Sequence, residues 1–514
     1  MFDLTHIWKW ITKNFTWKDV AIFLLIITVF LVTRLIRLDQ WPIFSDEGIY
    51  IRWAKVAWKD PNWRFISLTD GRQPLQTWGT IPFLKLFSEN ALFAGRLFAV
   101  SSGFAGLLGM MTLTFYLWGK RAAKIAGLLF IFIPYFVFYD RIALIDSAVN
   151  AGFIWTFFFS VLLARTIRLD VALLMGFVGG LVLLAKSTSR MFMMLAIAAP
   201  ILFISKKKKK FFIQSINYIL LLGVAGAIAL FFYNVQRLSP FFHYVELKNT
   251  TFVMTRSEFF QSPFANFWNN IKIIPLYITW EAGWLIVPVS IAGLVALYKK
   301  DIRLFLYIMA FVVGPFVALS FFAKVLFPRY LIFYASILVL TATYFIITLK
   351  KKTQHIVLGI LLLSMSILSY PLIFDPVKAS LPPVDRGQYV EGATAVWGAK
   401  ELMGYLREKS TTKPVVVLAE GNFGLVGDVL DVFLHEGDQI EIRGFWPLGE
   451  KELQDHRQES TTKDIYVVFS HREEFPENWP IEFVKEYTKP GNKKSLYLYK
   501  LIKSDPTDLD SNGF

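Results

Sequence analysis

The chain has 514 residues, is 55% hydrophobic and 17% aromatic, and carries only 18% charged residues with a net charge of +15. Soluble domains carry about 25% charge, and fifty Phe with sixteen Trp exceed what one soluble core buries, so a wholly soluble protein is excluded and a bilayer is the expected sink. The absence of cysteine excludes disulfides, thiolate chemistry and Cys-ligated metals.

A membrane span needs about 20 mostly apolar residues. In chain order, candidate spans lie near 19–37, 91–118, 122–139, 147–164, 170–186, 190–205, 211–233, 277–298, 303–323, 327–348 and 355–373. The expected fold class is therefore a polytopic α-helical membrane protein with about eleven transmembrane helices, followed by a soluble α/β domain. No small-residue cleavage site follows the Val20–Val32 run, so it reads as a span and not as a cleavable signal. The 74–88 stretch reads as a re-entrant or interfacial helix.

The basic clusters set the orientation. Lys9, Lys13 and Lys18 precede the first span. Alternate connections hold Lys120, Arg121 and Lys124, then Arg165 and Arg168, then Lys206 to Lys210, then Lys299, Lys300 and Arg303, then Lys350 to Lys352. By the positive-inside rule these face the cytoplasm, which places the N-terminus inside and the C-terminus outside. The expected location is the plasma membrane, multi-pass. The remaining connections, 38–90, 140–146, 187–189, 234–276 and 324–326, are then external. The two long ones contain the amphipathic pieces "YIRWAKVAWKD" and "FFHYVELKNTTFVMTRSEFF", expected to lie on the outer leaflet. The clusters sit beside apolar runs and no basic-aromatic module is present, so a nucleic-acid partner is excluded.

Three segments follow: a transmembrane domain over 1–375, an external soluble domain over 376–505 and a disordered tail over 506–514. In the second, "PVVVLA", "QIEIRGF", "DIYVVFS" and "SLYLYKL" read as strands, and "EGATAVWGAKELMGYLREK" as an amphipathic helix.

Polar residues at membrane depth are costly and mark function. Here they gather at the external ends of spans: Asp46, Glu47, Arg72 and Gln73; Arg96; Asp140, Arg141 and Asp146; Lys186 and Arg190; Arg256 and Glu258; Glu281; Lys324 and Arg329. Several cations at headgroup level suit the phosphate of a lipid carrier. A carboxylate nearby suits a general base acting on a hydroxyl. Each has a plainer alternative. Asp46 and Glu47 are also what a helix start after Ser45 calls for. Arg141 with Asp146 suits a structural ion pair, and Lys186, Arg190, Lys324 and the Arg329–Tyr330 pair suit interfacial anchors. The six His show no metal-ligand spacing, so no zinc site is expected.

The order of motifs resembles the multi-spanning glycosyltransferases that use polyprenyl-phosphate sugars (the C-type glycosyltransferase fold), which include protein O-mannosyltransferases and lipid A aminoarabinose transferases. "SDEGIY" resembles their Asp-Glu-x-x-Tyr pattern, which takes in Tyr50. "GRQPLQTW" is similar to their Pro-Pro-Leu segment with Gln73 for the first Pro, and "AGRLFAVSSG" to the Arg-Leu opening of the second span. "YDRIALIDS" is similar to an Arg-x-x-x-x-Asp element, "LLAKSTSR" to a Lys-Gly span end with Ser187 for Gly, and "PRYLIFY" to a late Arg-Tyr element. The resemblance covers roughly residues 20–373.

The resemblance implies an inverting transferase that moves a sugar from a polyprenyl-phosphate carrier to a hydroxyl or phosphate acceptor on protein, glycan or lipid. Asp46 becomes the general base, with Glu47 assisting it or holding acceptor or metal. Arg72, Arg96, Arg141, Lys186, Arg190, Arg329 and Tyr330 become candidates for the lipid phosphate, and Tyr50, Asp146, Arg256 and Glu258 for acceptor binding or support. No cofactor is required, although a divalent cation, magnesium or manganese, at Asp46 and Glu47 is an open alternative. The expected partners are the lipid-linked sugar, membrane lipids and the acceptor. A transporter or flippase of a lipid-linked saccharide is the alternative function. It needs polar residues along a path through mid-membrane, and these crowd the outer ends instead.

Overall fold

The computed structural model describes residues 14–203, 208–421, 425–472, 474–492 and 495–503. Lys9, Lys13, Lys206, Lys207 and the 506–514 tail lie outside the described residues. The chain divides into two compact bodies. One comprises Met1–Leu38, Ser67–Leu75 and Ala99–Ser380; the other comprises Asp39–Ile66, Gln76–Phe98 and Leu381–Phe514.

The first body is helical. It begins with α1 (Trp17–Leu35), whose start is closed by Thr16 and Asp19: Thr16 Oγ1 accepts from the Asp19 amide at 3.2 Å, and Asp19 accepts from the Thr16 amide at 3.0 Å. Next in the chain come β1 (Ile43–Phe44), α2 (Ser45–Lys59) and α3 (Leu75–Leu86), which group mainly with the second body. Then follow α4 (Ala91–Trp118), α5 (Lys120–Phe132), α6 (Pro134–Tyr139), α7 (Asp146–Thr166), α8 (Leu169–Ala185), α9 (Arg190–Leu195), α10 (Lys208–Asn234), α11 (Tyr244–Phe252), α12 (Arg256–Gln261), α13 (Phe267–Ala282), α14 (Ile286–Lys300), α15 (Ile302–Phe322), α16 (Ile332–Thr348) and α17 (Lys351–Phe374).

The expected apolar runs are largely helical where described, although the 122–139 run breaks at Ile133 and the 190–205 run turns to 3-10 geometry over Ala196–Leu202, and the architecture is that of a polytopic membrane protein. Among the described residues six helices are long and apolar enough to cross by themselves: Ala91–Trp118, Asp146–Thr166, Lys209–Leu238, Ile302–Phe322, Pro328–Thr348 and Lys351–Phe374. The 277–298 run, expected to be one span, is two helices instead. α13 and α14 meet at 108°, because Gly283 at φ 88° takes a backbone conformation that the neighbouring apolar residues avoid. Polar side chains join helices inside this body, as where Ser336 donates to Asn150 at 2.7 Å.

Two arginines fasten the end of α1. Arg34 Nε donates to Asp140 at 3.2 Å and its Nη1 to the Ile131 carbonyl at 2.7 Å, with both side chains at most 1% exposed. Asp140 also accepts from Ser147 at 2.7 Å. Arg141 donates to the carbonyls of Thr33, Arg34, Ile36 and Arg37 at 2.9–3.0 Å. The Thr33 and Arg34 carbonyls belong to the last turn of α1, where a helix C-terminus leaves carbonyls without intrahelical partners, and Ile36 and Arg37 follow directly after it.

The second body holds a five-stranded sheet of order β4-β3-β5-β7-β6. Its elements are β2 (Ala395–Val396), α18 (Ala399–Ser410), β3 (Val415–Glu420), α19 (Val426–Val432), β4 (Ile440–Phe445), α20 (Glu450–His456), β5 (Asp464–Phe469), β6 (Ile481–Thr488) and β7 (Ser495–Leu501). β3 pairs in parallel with β4 and β5, while β7 runs antiparallel to β5 and β6. The four strands read from sequence are all present, and β6 is the addition. One face carries an apolar core around Val416, Leu418, Ile465, Val467 and Phe469. β1 pairs with β2, Ile43 opposite Val396 and Phe44 opposite Ala395. The "YIRWAKVAWKD" helix was expected on a lipid leaflet. It packs against α19 instead, through Gly48, which lies beside Val429, and Ile49, Ile51, Trp53, Ala54 and Ala57 are also buried.

Candidate functional site

The acidic pair opens α2. Ser45, expected as the cap, is the first helical residue, and Glu47 provides the cap by accepting the Phe44 amide at 3.0 Å. Both Glu47 oxygens also receive Arg96, Oε1 from Nε and Oε2 from Nη2, each at 2.9 Å. Glu47 and Arg96 side chains are 0% exposed. Arg96 Nη1 and Nη2 reach the Trp41 and Pro42 carbonyls at 3.2 Å. Such a pair holds the first loop to the start of α4. It leaves Glu47 ill-suited to share a divalent cation with Asp46. Among the described residues no three His, Asp or Glu side chains converge as a metal site. Asp46 is half-buried one residue earlier. Tyr50, 7% exposed, meets Trp53 edge-on at 5.8 Å.

A cationic group forms in the first body. Lys186 follows α8 and reaches Asp146, the first residue of α7, at 3.2 Å. Its ammonium lies 3.8 Å from the Tyr330 ring centre. Arg329 is 8% exposed and lies over Phe327 and Tyr330 at 4.6 and 5.5 Å. The positive charges of Arg329 and Arg72 both bear on Lys186. Arg72 is tied to Asp70 at 2.9 Å, and Asp70 also takes Lys248 at 2.7 Å. Next to these cations, Gln73 Nε2 donates to Ser187 Oγ, and both residues are buried. Thus the two positions that depart from the family pattern, Gln73 and Ser187, meet each other and tie the segment bearing Arg72 to the one bearing Lys186.

The other candidates lie apart from this group. Arg141 closes the end of α1, as described. Arg190 is exposed over Tyr233 at 4.5 Å. Arg256 is exposed at the start of α12. Glu258 accepts from the Thr255 amide at 2.7 Å and from Lys324 at 2.5 Å. Lys324, ahead of the Thr255 bonds, holds its carboxyl down to about 2. So Arg72, Asp146, Lys186, Arg329 and Tyr330 are brought together, and Asp46, Glu47, Tyr50 and Arg96 form a second group. Asp70 and Lys248 were not singled out from sequence; the only signal was the turn-like "TDGR" around Asp70.

A helical membrane body followed by a C-terminal α/β sheet is a fold this chain shares with solved proteins: it is similar to two solved structures of ArnT from Cupriavidus metallidurans. The apo structure has a TM-score of 0.57 at 14% identity, covering 93% of this chain and 97% of that one. The structure bound to undecaprenyl phosphate has a TM-score of 0.56 at 15% identity, with the same coverage. At such identity the likeness is one of fold. No protein-family model and no curated protein matches the chain.

Proposed function

We propose that this protein is a membrane glycosyltransferase that moves a sugar from a polyprenyl-phosphate carrier to a hydroxyl or phosphate acceptor at the external face of the cell membrane. The observation that carries this reading is the gathering of cations at span ends: Lys186 and Arg329 both lie over the Tyr330 ring, and the Gln73–Ser187 bond ties the segment bearing Arg72 to the one bearing Lys186. Such a set of cations favours an anionic ligand. The fold is shared over nearly its whole length with a structure that binds undecaprenyl phosphate.

In the proposed reaction Asp46 takes the proton from the acceptor hydroxyl. The acceptor oxygen then bonds to the anomeric carbon on the face opposite the phosphate. The bond from that carbon to the phosphate oxygen breaks, its electron pair stays on the phosphate, and the cations stabilise that charge. One displacement inverts the anomeric configuration. The N-terminus is cytoplasmic and the C-terminal domain external in this reading. Because the chain lacks cysteine, a thiol introduced at Lys409 should react with an impermeant reagent from outside only.

The test is Asp46→Asn, which keeps the size of the side chain and removes the proton acceptor. Transfer of radiolabelled sugar from a panel of polyprenyl-phosphate monosaccharides, in membranes that supply the native acceptor, should fall by about 10²–10⁴-fold. Binding of undecaprenyl phosphate should be unchanged. Near-wild-type transfer by folded Asp46→Asn would refute the assignment.

A further inference from the structure

The helix that carries Asp46 is held by the C-terminal sheet domain. α2 belongs to the same compact body as residues 381–514, and three independent kinds of contact join them. First, β1 leads into α2 and pairs with β2; the Ser45 amide then donates to the Thr394 carbonyl at 2.9 Å, and the Phe44 ring lies 4.6 Å from that of Tyr389. Second, α2 and α19 approach so closely that only glycine fits at 48. A Cβ there would lie 2.9 Å from Val429 Cγ2 and 3.2 Å from its backbone Cα and N. Third, charged side chains bridge the two helices. Arg52 Nε reaches Asp431 at 2.6 Å and its Nη1 reaches Asp428 at 3.0 Å, with Asp428 only 3% exposed. Lys55 donates to the carbonyls of Asp431 and Leu434 at 2.6 and 2.9 Å, the end of α19, where carbonyls lack intrahelical partners.

The periodicity of α2 gives these contacts their meaning. At about 100° per residue, Gly48, Arg52 and Lys55 fall on one face. Asp46, Tyr50 and Trp53 fall on the opposite one. The sheet domain therefore grips α2 by its back and leaves the Asp46 face turned away.

We propose that the C-terminal domain is a positioning element for the Asp46 helix, with Arg52 and Lys55 as positioning residues that touch neither donor nor acceptor. This rests on Asp46 acting as the base. A carboxylate at the start of a helix keeps its aim only if the helix axis is fixed, and a displacement of about 1 Å can cost 10²-fold in rate.

The test compares Arg52→Ala, Lys55→Met and the swapped pair Arg52→Asp/Asp431→Arg in the full-length protein. Three readouts are taken: the transfer assay above, binding of undecaprenyl phosphate, and hydrogen exchange at the amides of 46–50. Arg52→Ala and Lys55→Met should each lower turnover by about 10–100-fold, leave undecaprenyl phosphate affinity within about two-fold, and speed exchange in the first turn of α2. The swapped pair should recover part of the lost turnover. Adding Arg52→Ala to Asp46→Asn should cost nothing further, because the positioned group is already gone. Wild-type turnover in folded Arg52→Ala or Lys55→Met, with Asp46→Asn inactive, overturns this proposal and spares the base assignment. Near-wild-type Asp46→Asn overturns both. If Arg52→Ala does not fold, Lys55→Met decides by the same criteria.

Discussion

Replacing Glu47 with alanine should destabilise the protein without touching the chemistry directly. The carboxylate meets Arg96 twice at 2.9 Å and the Phe44 amide at 3.0 Å, with both side chains wholly buried. The alanine variant leaves the guanidinium without its carboxylate, and the Trp41 and Pro42 carbonyls at 3.2 Å do not neutralise its charge. Removing one partner of a buried pair costs about 3–5 kcal/mol, because the other charge stays desolvated. At roughly 2–4 °C per kcal/mol for a body of 150–250 residues, the midpoint of unfolding should fall by on the order of 10 °C. Tryptophan fluorescence during a thermal ramp in detergent measures it. The double variant Glu47→Ala/Arg96→Met should recover much of the loss, since it removes the stranded charge as well. If Glu47→Ala melts with the wild type and yet loses sugar transfer, Glu47 takes part in the reaction and the structural account is wrong.

Two further outcomes are expected. Lys186→Ala and Arg329→Ala should each weaken undecaprenyl phosphate binding by about 1.5–3 kcal/mol, the range for hydrogen bonds to charged groups, with folding intact; Arg329→Lys should not restore it, because an ammonium cannot make the two-pronged contact. Unchanged affinity in both alanine variants would mark these residues as interfacial anchors. The Glu258–Lys324 tie should follow pH with a definite sign. The carboxyl is lowered from 4.5 to about 2, so the stabilisation is present in full above about pH 4.5 and is lost as the pH falls through about 2. Protease cleavage within 255–262 should rise over that window, and Glu258→Gln should abolish the dependence.

Much of the fold was legible because its signals are local. Runs of twenty apolar residues announce spans, and "VVVLA" or "IYVVF" announce buried strands. β6 was not legible, since Glu482, Lys485 and Glu486 give it the polarity of a loop; it holds its place by pairing with β7. The bend at Gly283 was hidden inside a continuously apolar stretch. In the candidate site, residue types were readable and partnerships were not. Glu47 finds Arg96 49 positions away, Gln73 finds Ser187 at 114, and Asp70 finds Lys248 at 178. Nothing in a single sequence records such separations. Asp46 and Glu47 look alike as neighbours on the chain, and only the buried guanidinium assigns Glu47 to structure.

The fastening of α1 has a consequence for how the protein is made. Arg34 leaves the ribosome 106 residues before Asp140, and Arg141, which closes the helix end, follows immediately after that carboxylate. At roughly 5–20 residues per second, α1 waits several seconds with a cation and a row of bare carbonyls near one end. Hydrocarbon disfavours both, and one pair of adjacent residues answers them: Asp140 neutralises the charge and Arg141 satisfies the carbonyls, so the end of α1 is not complete until the turn at 140–146 has been made.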